Sequence, residues 1–381
     1  LIERLSDALE VHAVSRRKDW ADWLAVAAAV QGDDPQWVPP LLAERRKQWS
    51  SRHPFWRQAE GQAWIVRRAG RAIGAISAQI DHRQALHEGR PLGYFGQFEC
   101  INEPPVAAAL LGAAEEWLTA RGCAWMRGPY DLSINQQVGL LVHGYDVPPM
   151  LMMGHAPRYY RELFTAMGLV PVMRLYAYRL APNFVAPTAM LRMLGRYQDD
   201  IDLRPLNLRR YNEELATLRT LFNAAWADNW GFVPLSEAEF AHMGRGMRPL
   251  IRAEYTTVAY YKGEAVGFLI ALPNLNEVIA DLRGRLLPFA WARLLWRMQR
   301  HQFRTARVPL MGIAPTMQRR RLGAALTFAM VDRVRQALAA NGVEQVELSW
   351  ILENNQGMNA ILESFGADAY KHYQMFEKRL A

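Results

Sequence analysis

Apolar residues return at helical spacing through Leu322, Ala325, Leu326, Ala329, Met330 and Val334, so a helix beginning near Leu322 buries one face. Upstream, residues 308–314 are almost wholly apolar, which predicts a strand covered on both faces. Pro315 ends that strand, and a basic stretch, Gln318-Arg319-Arg320-Arg321-Leu322-Gly323-Ala324-Ala325, carries the chain into the helix. Beyond it, residues 343–351 predict another strand, 358–365 a short helix stopped by Gly366, and 370–380 a closing strand.

The first half has a similar rhythm. It predicts a strand at 9–14, a helix at 20–30 capped by Asp19, a hairpin of 63–68 and 72–81 turning through Ala69-Gly70-Arg71, and a strand at 93–101. A helix at 105–120, a strand at 124–127, a helix at 157–167 stopped by Gly168 and a strand at 172–180 follow. Segments 159–181 and 359–381 both run helix, glycine, strand and Arg-Leu-Ala, which predicts an internal repeat. Two prolines and an asparagine open a linker, 181–200. After it come a strand at 202–205, a helix at 212–227, a helix behind the capping box of Ser236 and Glu239, and a hairpin of 255–261 and 265–271. At 381 residues the chain is long enough for two cores.

Composition adds little until charge is considered. A net charge of +8 favours anionic partners: coenzyme phosphates, nucleic acid or acidic lipid headgroups. Two cysteines, Cys100 and Cys123, fit neither a disulfide framework nor a metal site, so no metal and a reducing, cytoplasmic setting are expected. No apolar run is long enough to span a bilayer. Basic and aromatic residues interleave between Trp37 and Trp56, a pattern shared by nucleic-acid grips and by aromatic lids with solvated arginines; the second is expected here. An insertion, 273–307, carries an apolar stripe of Trp291, Leu294, Leu295 and Met298 beside Arg293, Arg297, Arg300, His301 and Arg304. Such a stripe serves either a surface helix packed on its domain or, over 286–304, a helix on an anionic membrane, giving a peripheral inner-membrane location.

The chemistry starts at the loop before Leu322. The first N–H groups of a helix lack internal partners and its dipole is positive there, so a phosphate or pyrophosphate is attracted. Gly323 allows close approach, and Arg319, Arg320 and Arg321 add charge-assisted contacts. The run Arg320-Arg321-Leu322-Gly323-Ala324-Ala325 resembles the R/Q-x-x-G-x-G/A coenzyme A loop of the GCN5-related N-acetyltransferases, the GNAT superfamily, in its place after a strand. The order strand, Asn355, short helix, Gly366, strand is similar to that family too.

The resemblance implies two tandem α/β (α+β) domains, 1–180 and 201–381, each a mixed, mostly antiparallel sheet flanked by helices. The N-terminal copy has Ile101-Asn102-Glu103-Pro104-Pro105-Val106 where the coenzyme loop belongs and is expected to be degenerate, a wall of the acceptor site. It implies acyl-coenzyme A as co-substrate, with Gly312, Ile313 and Ala314 pairing with pantetheine, Gln318 to Ala325 holding the pyrophosphate, and Asn355 at the family's asparagine position. Trp226, Asn229, Trp230 and Phe232 follow the first helix of that domain, where such folds cover the acceptor. Glu353 is the expected base. Leu362 stands where the family often has a tyrosine acid, leaving Tyr370, His372 and Tyr373 as substitute donors.

The tandem layout resembles the two-lobed GNAT-like proteins among which bacterial ceramide synthases occur. That implies a long-chain acyl group passed to a sphingoid amine. Acetylation of a small soluble amine and non-catalytic binding of coenzyme A or lipid are the alternatives. Nucleic acid is not expected as a partner.

Overall fold

The computed structural model describes residues 8–84, 86–87, 89–197, 199–318 and 320–380, and it separates the chain into two compact units. Unit 1 comprises Leu1–Leu175, Val278–Met298 and Lys371–Ala381; unit 2 comprises Tyr176–Glu277 and Gln299–Tyr370. The divisions fall inside two strands and two helices rather than at a linker.

Along the first half run β1 (Glu10–Ala13), α1 (Arg17–Gln31), α2 (Leu42–Gln48), β2 (Ala59–Arg68), β3 (Arg71–Asp81), β4 (Leu92–Cys100), α3 (Pro104–Thr119), β5 (Trp125–Gly128), β6 (Leu140–His143), α4 (Tyr160–Ala166) and β7 (Val170–Leu180). Then come α5 (Thr188–Tyr197), β8 (Ile201–Arg204), α6 (Tyr211–Trp226), α7 (Glu237–Met247), β9 (Thr256–Tyr261), β10 (Glu264–Pro273), α8 (Ala290–Arg300), β11 (Thr305–Ile313), α9 (Arg321–Ala340), β12 (Gln345–Leu352), α10 (Gln356–Ser364) and β13 (Asp368–Arg379).

Each unit builds the same succession. In unit 1, β2, β3 and β4 pair antiparallel, α3 crosses over, and β5 pairs parallel with β4. In unit 2, β9, β10 and β11 pair antiparallel, α9 crosses over, and β12 pairs parallel with β11. Both hairpins turn through a left-handed residue and a left-handed glycine: Ala69 and Gly70 with φ of 49° and 77°, Lys262 and Gly263 with 52° and 83°. That turn matches the twist of the flanking strands. The repeat expected from 159–181 and 359–381 is present as α4–β7 and α10–β13.

Helix faces follow the apolar spacing. Val106, Leu110, Leu111, Ala114 and Leu118 of α3 are buried, as are Leu322, Ala325, Leu326, Ala329, Met330 and Val334 of α9. Sheet glycines permit the close approach: a Cβ on Gly93 would lie 2.4 Å from Leu118. The capping box of α7 is formed, Ser236 N donating to Glu239 Oε2 at 3.0 Å.

Two expectations are corrected, and the insertion's stripe is divided. Asp19 is not the cap of α1 but its third residue, accepting the Arg16 N–H at 3.1 Å, because the helix begins earlier, at Arg17. The stretch 181–200 contains α5, whose Met190, Leu194 and Tyr197 pack on the unit 2 core, so spacing by three and four outweighed its proline-rich start. In the insertion only Leu294 of the stripe is buried; Trp291 and Leu295 are about half exposed.

Candidate active site

In unit 2 the parallel ladder of β11 and β12 runs from Thr305–Gln345 to Val308–Leu348, and β11 continues to Ile313 along β10. The two strands therefore fork, with α9 opening just beyond the end of β11. A buried polar cluster sits at the base of the fork. Arg307 and Glu347 are direct partners across the ladder, 3.6 Å apart as an ion pair. Arg307 Nε donates to Ser349 Oγ at 2.7 Å, and Nη2 to the Ser349 carbonyl at 3.0 Å. Ser349 and Tyr370 both donate their hydroxyls to Glu347. This cluster was not anticipated. The signal was available in the alternation Glu347-x-Ser349 within an otherwise apolar strand, but the register that pairs it with Arg307 comes only from the fold.

The loop beyond β11 is tightly tied. Ala314 N donates to Val266 O, Met317 N to Ala314 O and Arg320 N to Met317 O, at 2.8, 2.8 and 3.1 Å. Gln318 Nε2 bridges the carbonyls of Ala225 and Ile313, at 3.1 and 2.9 Å, and so fastens the loop to α6. A Cβ on Gly323 would lie 2.2 Å from the Met317 carbonyl oxygen, and one on Gly312 would meet Phe268 and Ala225 at 2.8 and 2.9 Å. Only glycine lets the helix start pack on the turn.

At the mouth of α9 the cap residue Arg320 has an extended backbone and no side-chain cap bond, and the first turn carries no acid. Arg320, Arg321 and Ala324 lie around this end, the two arginines exposed and Leu322 and Ala325 buried as its support. Donors, a positive dipole end and two guanidiniums thus converge, which suits an anion. Arg319 lies outside the described residues.

Aromatic side chains gather on the adjoining segment of α6. Trp226 Nε1 donates to the Met311 carbonyl at 3.1 Å. Its ring lies 4.9 Å from Phe222, 6.4 Å from Phe232 and 5.6 Å from Trp350. Asn229 and Trp230 are half-buried on the same turn, where Asn229 N donates to Trp226 O at 2.9 Å. Trp350, on β12 just past the end of the ladder, was missed, since one tryptophan in an apolar run carries no distinguishing pattern.

The remaining expected residues follow the end of β12. Glu353 is exposed one residue beyond β12, its carbonyl accepting from Asn359 Nδ2 at 3.3 Å. Asn355 caps α10, its side chain accepting the Met358 N–H at 3.2 Å. Leu362 is a core residue. His372 and Tyr373 belong to unit 1. His372 stacks near His143 at 4.8 Å, while Tyr373 is buried with its hydroxyl donated to the Gly154 carbonyl at 3.2 Å.

Unit 1 forks in the same way and fills its fork with its own chain. The β4–β5 ladder spans Leu92–Trp125 to Tyr94–Arg127. Next, Tyr130 N donates to Phe95 O at 2.8 Å, and a Cβ on Gly96 would lie 1.5 Å from the Tyr130 carbonyl oxygen. Gln79 Nε2 holds that loop through the Tyr130 and Leu132 carbonyls, at 3.2 and 3.3 Å. Asp131, buried, pairs with Arg45. Trp49 and Trp56 pack together at 4.9 Å, so the interleaved basic and aromatic stretch folds as packing around this loop.

No protein-family model matches the chain. Protein YghO of Escherichia coli K12 is 38% identical over 371 residues, covering 97% of this chain and 95% of that protein. The bacterial ceramide synthase of Caulobacter vibrioides NA1000 is 39% identical over 375 residues, 98% of each. Among solved structures, a tandem GNAT protein of the clavulanic acid biosynthesis pathway superposes with a TM-score of 0.57 at 15% identity, over 98% of this chain and 99% of that one. A GCN5-related N-acetyltransferase of Sphaerobacter thermophilus does so with 0.52 at 14% identity, over 98% and 96%.

Proposed function

The chain belongs to the tandem, two-lobed type of the GCN5-related N-acetyltransferase superfamily, alongside a bacterial ceramide synthase, and on that premise we propose that it transfers a long-chain acyl group from coenzyme A to a sphingoid amine. The observation that carries the coenzyme half is the open, doubly arginine-flanked start of α9 at the end of a forked β11. Coenzyme A supplies the thioester. The chain's residues hold its pyrophosphate at Arg320 to Ala325 and its pantetheine arm along Gly312 to Ala314. Unit 1, its own fork plugged, is left without a coenzyme role.

The proposed chemistry is direct acyl transfer. Glu353 takes one proton from the ammonium, and the free amine attacks the thioester carbonyl to form the C–N bond. Collapse of the tetrahedral adduct breaks the C–S bond as the nitrogen's second proton passes to the leaving thiolate, giving the amide and the thiol form of coenzyme A. Main-chain N–H groups of the fork stabilise the developing oxyanion. Tyr373, buried and bonded to a carbonyl, is not assigned the return of that proton. The long-chain acceptor is supported by the Caulobacter relative and by the aromatic group of Trp226, Phe232 and Trp350. Because such an amine resides in a bilayer, the reaction is placed at an anionic membrane surface.

Calorimetry with palmitoyl- and acetyl-coenzyme A, followed by thiol release with sphinganine or a small soluble amine, tests this. Palmitoyl transfer to sphinganine is the expected result. Removing both guanidiniums, Arg320→Ala with Arg321→Ala, is expected to weaken coenzyme binding by roughly tenfold or more. Acetyl transfer to the small amine alone would replace the acceptor assignment, and no heat with either thioester would end the proposal.

A further inference from the structure

Exposed large apolar side chains concentrate in one place. Of the ten among the described residues, five lie between Leu287 and Trp296: Leu287 (80% exposed), Phe289 (79%), Trp291 (49%), Leu295 (51%) and Trp296 (62%). A contiguous apolar patch differs from scattered exposed leucines, because it marks a surface meant to be covered.

The helix is held by the opposite side. At about 100° per residue, Arg297, Leu294 and Met298 share one arc, while Trp291, Leu295, Gln299, Ala292 and Trp296 span the next ~140°. On the first arc, Leu294 is buried and Met298 half-buried. Arg297 donates to the Val278 carbonyl and to Asp281 Oδ2, both at 2.9 Å. The preceding turn is equally fixed, Leu42 N donating to Gly284 O at 2.9 Å. A Cβ on Gly284, whose φ is +72°, would lie 2.4 Å from the Pro40 carbonyl oxygen. Leu287, Pro288 and Phe289 are therefore exposed beside a tethered turn, and Trp291, Leu295 and Trp296 are exposed on the helix that follows.

Charge selects the occupant. Between residues 281 and 304 there are six arginines and one acid, Asp281, which is bonded to Arg297 and lies 3.7 Å from the exposed Arg293 as a looser ion pair. Arg293 and Arg300 stand beside Trp296 at the edge of the apolar arc, with Arg283 and Arg285 at the preceding turn. A second copy of the chain would bring like charges together across a two-fold. An anionic bilayer takes both features at once: tryptophans settle at headgroup depth and arginines on lipid phosphates.

We propose that the outward face of α8 with Leu287 and Phe289 is a membrane-docking surface for anionic lipid, inserted shallowly and parallel to the bilayer. This deepens the reading above and rests on it for its purpose, the capture of a bilayer-resident acceptor, though vesicle binding is measured apart from turnover.

The test is sedimentation of the full chain with phosphatidylcholine vesicles, with and without phosphatidylglycerol. Binding that requires phosphatidylglycerol and declines with added salt is expected. The pair Trp291→Ala and Trp296→Ala should reduce it by about tenfold, and the pair Arg293→Gln and Arg300→Gln by roughly fivefold per charge. Both pairs should melt as the parent chain does, since the changed side chains are exposed. Thiol release from a detergent-dispersed amine should persist in the tryptophan variant while turnover on vesicles falls. Unchanged vesicle binding in both variants overturns the proposal, as does a solution dimer that the tryptophan variant dissolves without any vesicle binding by the parent. Vesicle binding with no acyl transfer would leave the docking surface standing and remove the reaction.

Discussion

Glu99 shows how one side chain couples the N-terminal unit to pH. Its carboxylate accepts from Gln31 Nε2 at 2.9 and 2.8 Å and from the Tyr160 hydroxyl at 2.9 Å, contacts that favour the charged form. Burial outweighs them and pushes its pKa from 4.5 up to about 7. The folded chain thus keeps a proton that the unfolded chain releases between those values, so this component of stability is present below pH 4.5 and lost as pH rises through about 7. Melting temperatures are expected to fall across that window and level off above it, and Glu99→Gln should flatten the decline. An equal slope in the variant would assign the titration elsewhere. Gly323 makes a different point at the same scale: the Met317 carbonyl oxygen lies 2.2 Å from where a Cβ would be, so steric need by itself keeps it glycine.

The fork of β11 and β12 is the element on which the coenzyme reading depends, and the cluster at its base pins it. Arg307 and Glu347 are both almost wholly buried, so each is tolerated only with the other present. Glu347→Gln is expected to cost about 3–5 kcal/mol in denaturant unfolding, because the guanidinium is left without its counter-charge. Replacing both, Arg307→Met with Glu347→Leu, should restore much of that loss while altering how the strands diverge. If the single variant unfolds like the parent, the cluster is not what holds the fork. The amphipathic α8 illustrates a limit at this scale, since periodicity found the stripe while burial divided it between an anchored arc and an outward one.

At the scale of the molecule, the two units share the chain in an interleaved way. Unit 1 takes Lys371–Ala381 from the end of the chain, and unit 2 takes Tyr176–Leu180 from the end of β7. Lys371, buried in unit 1, donates to the Gly144 and Val147 carbonyls at 2.7 and 2.6 Å, and Arg127 pairs with Glu377 there. A fragment of residues 201–381 would lack part of one core and carry unsatisfied polar groups from the other. Such a fragment is expected to show no cooperative thermal transition, whereas the full chain shows one or more. A sharp transition with retained coenzyme binding in the fragment would make the C-terminal unit self-sufficient.

The basic loop ahead of α9, the succession of strands and helices, the capping box and the internal repeat were legible in the amino-acid order, because each rests on local spacing or on a short contiguous motif. Asn355 was likewise found by position, yet what its side chain does, capping α10, needed the helix start to be located. The cluster of Arg307, Glu347, Ser349 and Tyr370 draws on three strands, and the plug of the unit 1 fork depends on one carbonyl meeting one glycine. Register and close approach decide both, and neither leaves a trace in one-dimensional periodicity. Local pattern therefore determined which elements form and which loop gathers the arginines; only tertiary packing decided which polar groups are buried together, which fork its own chain fills and which face of α8 looks outward.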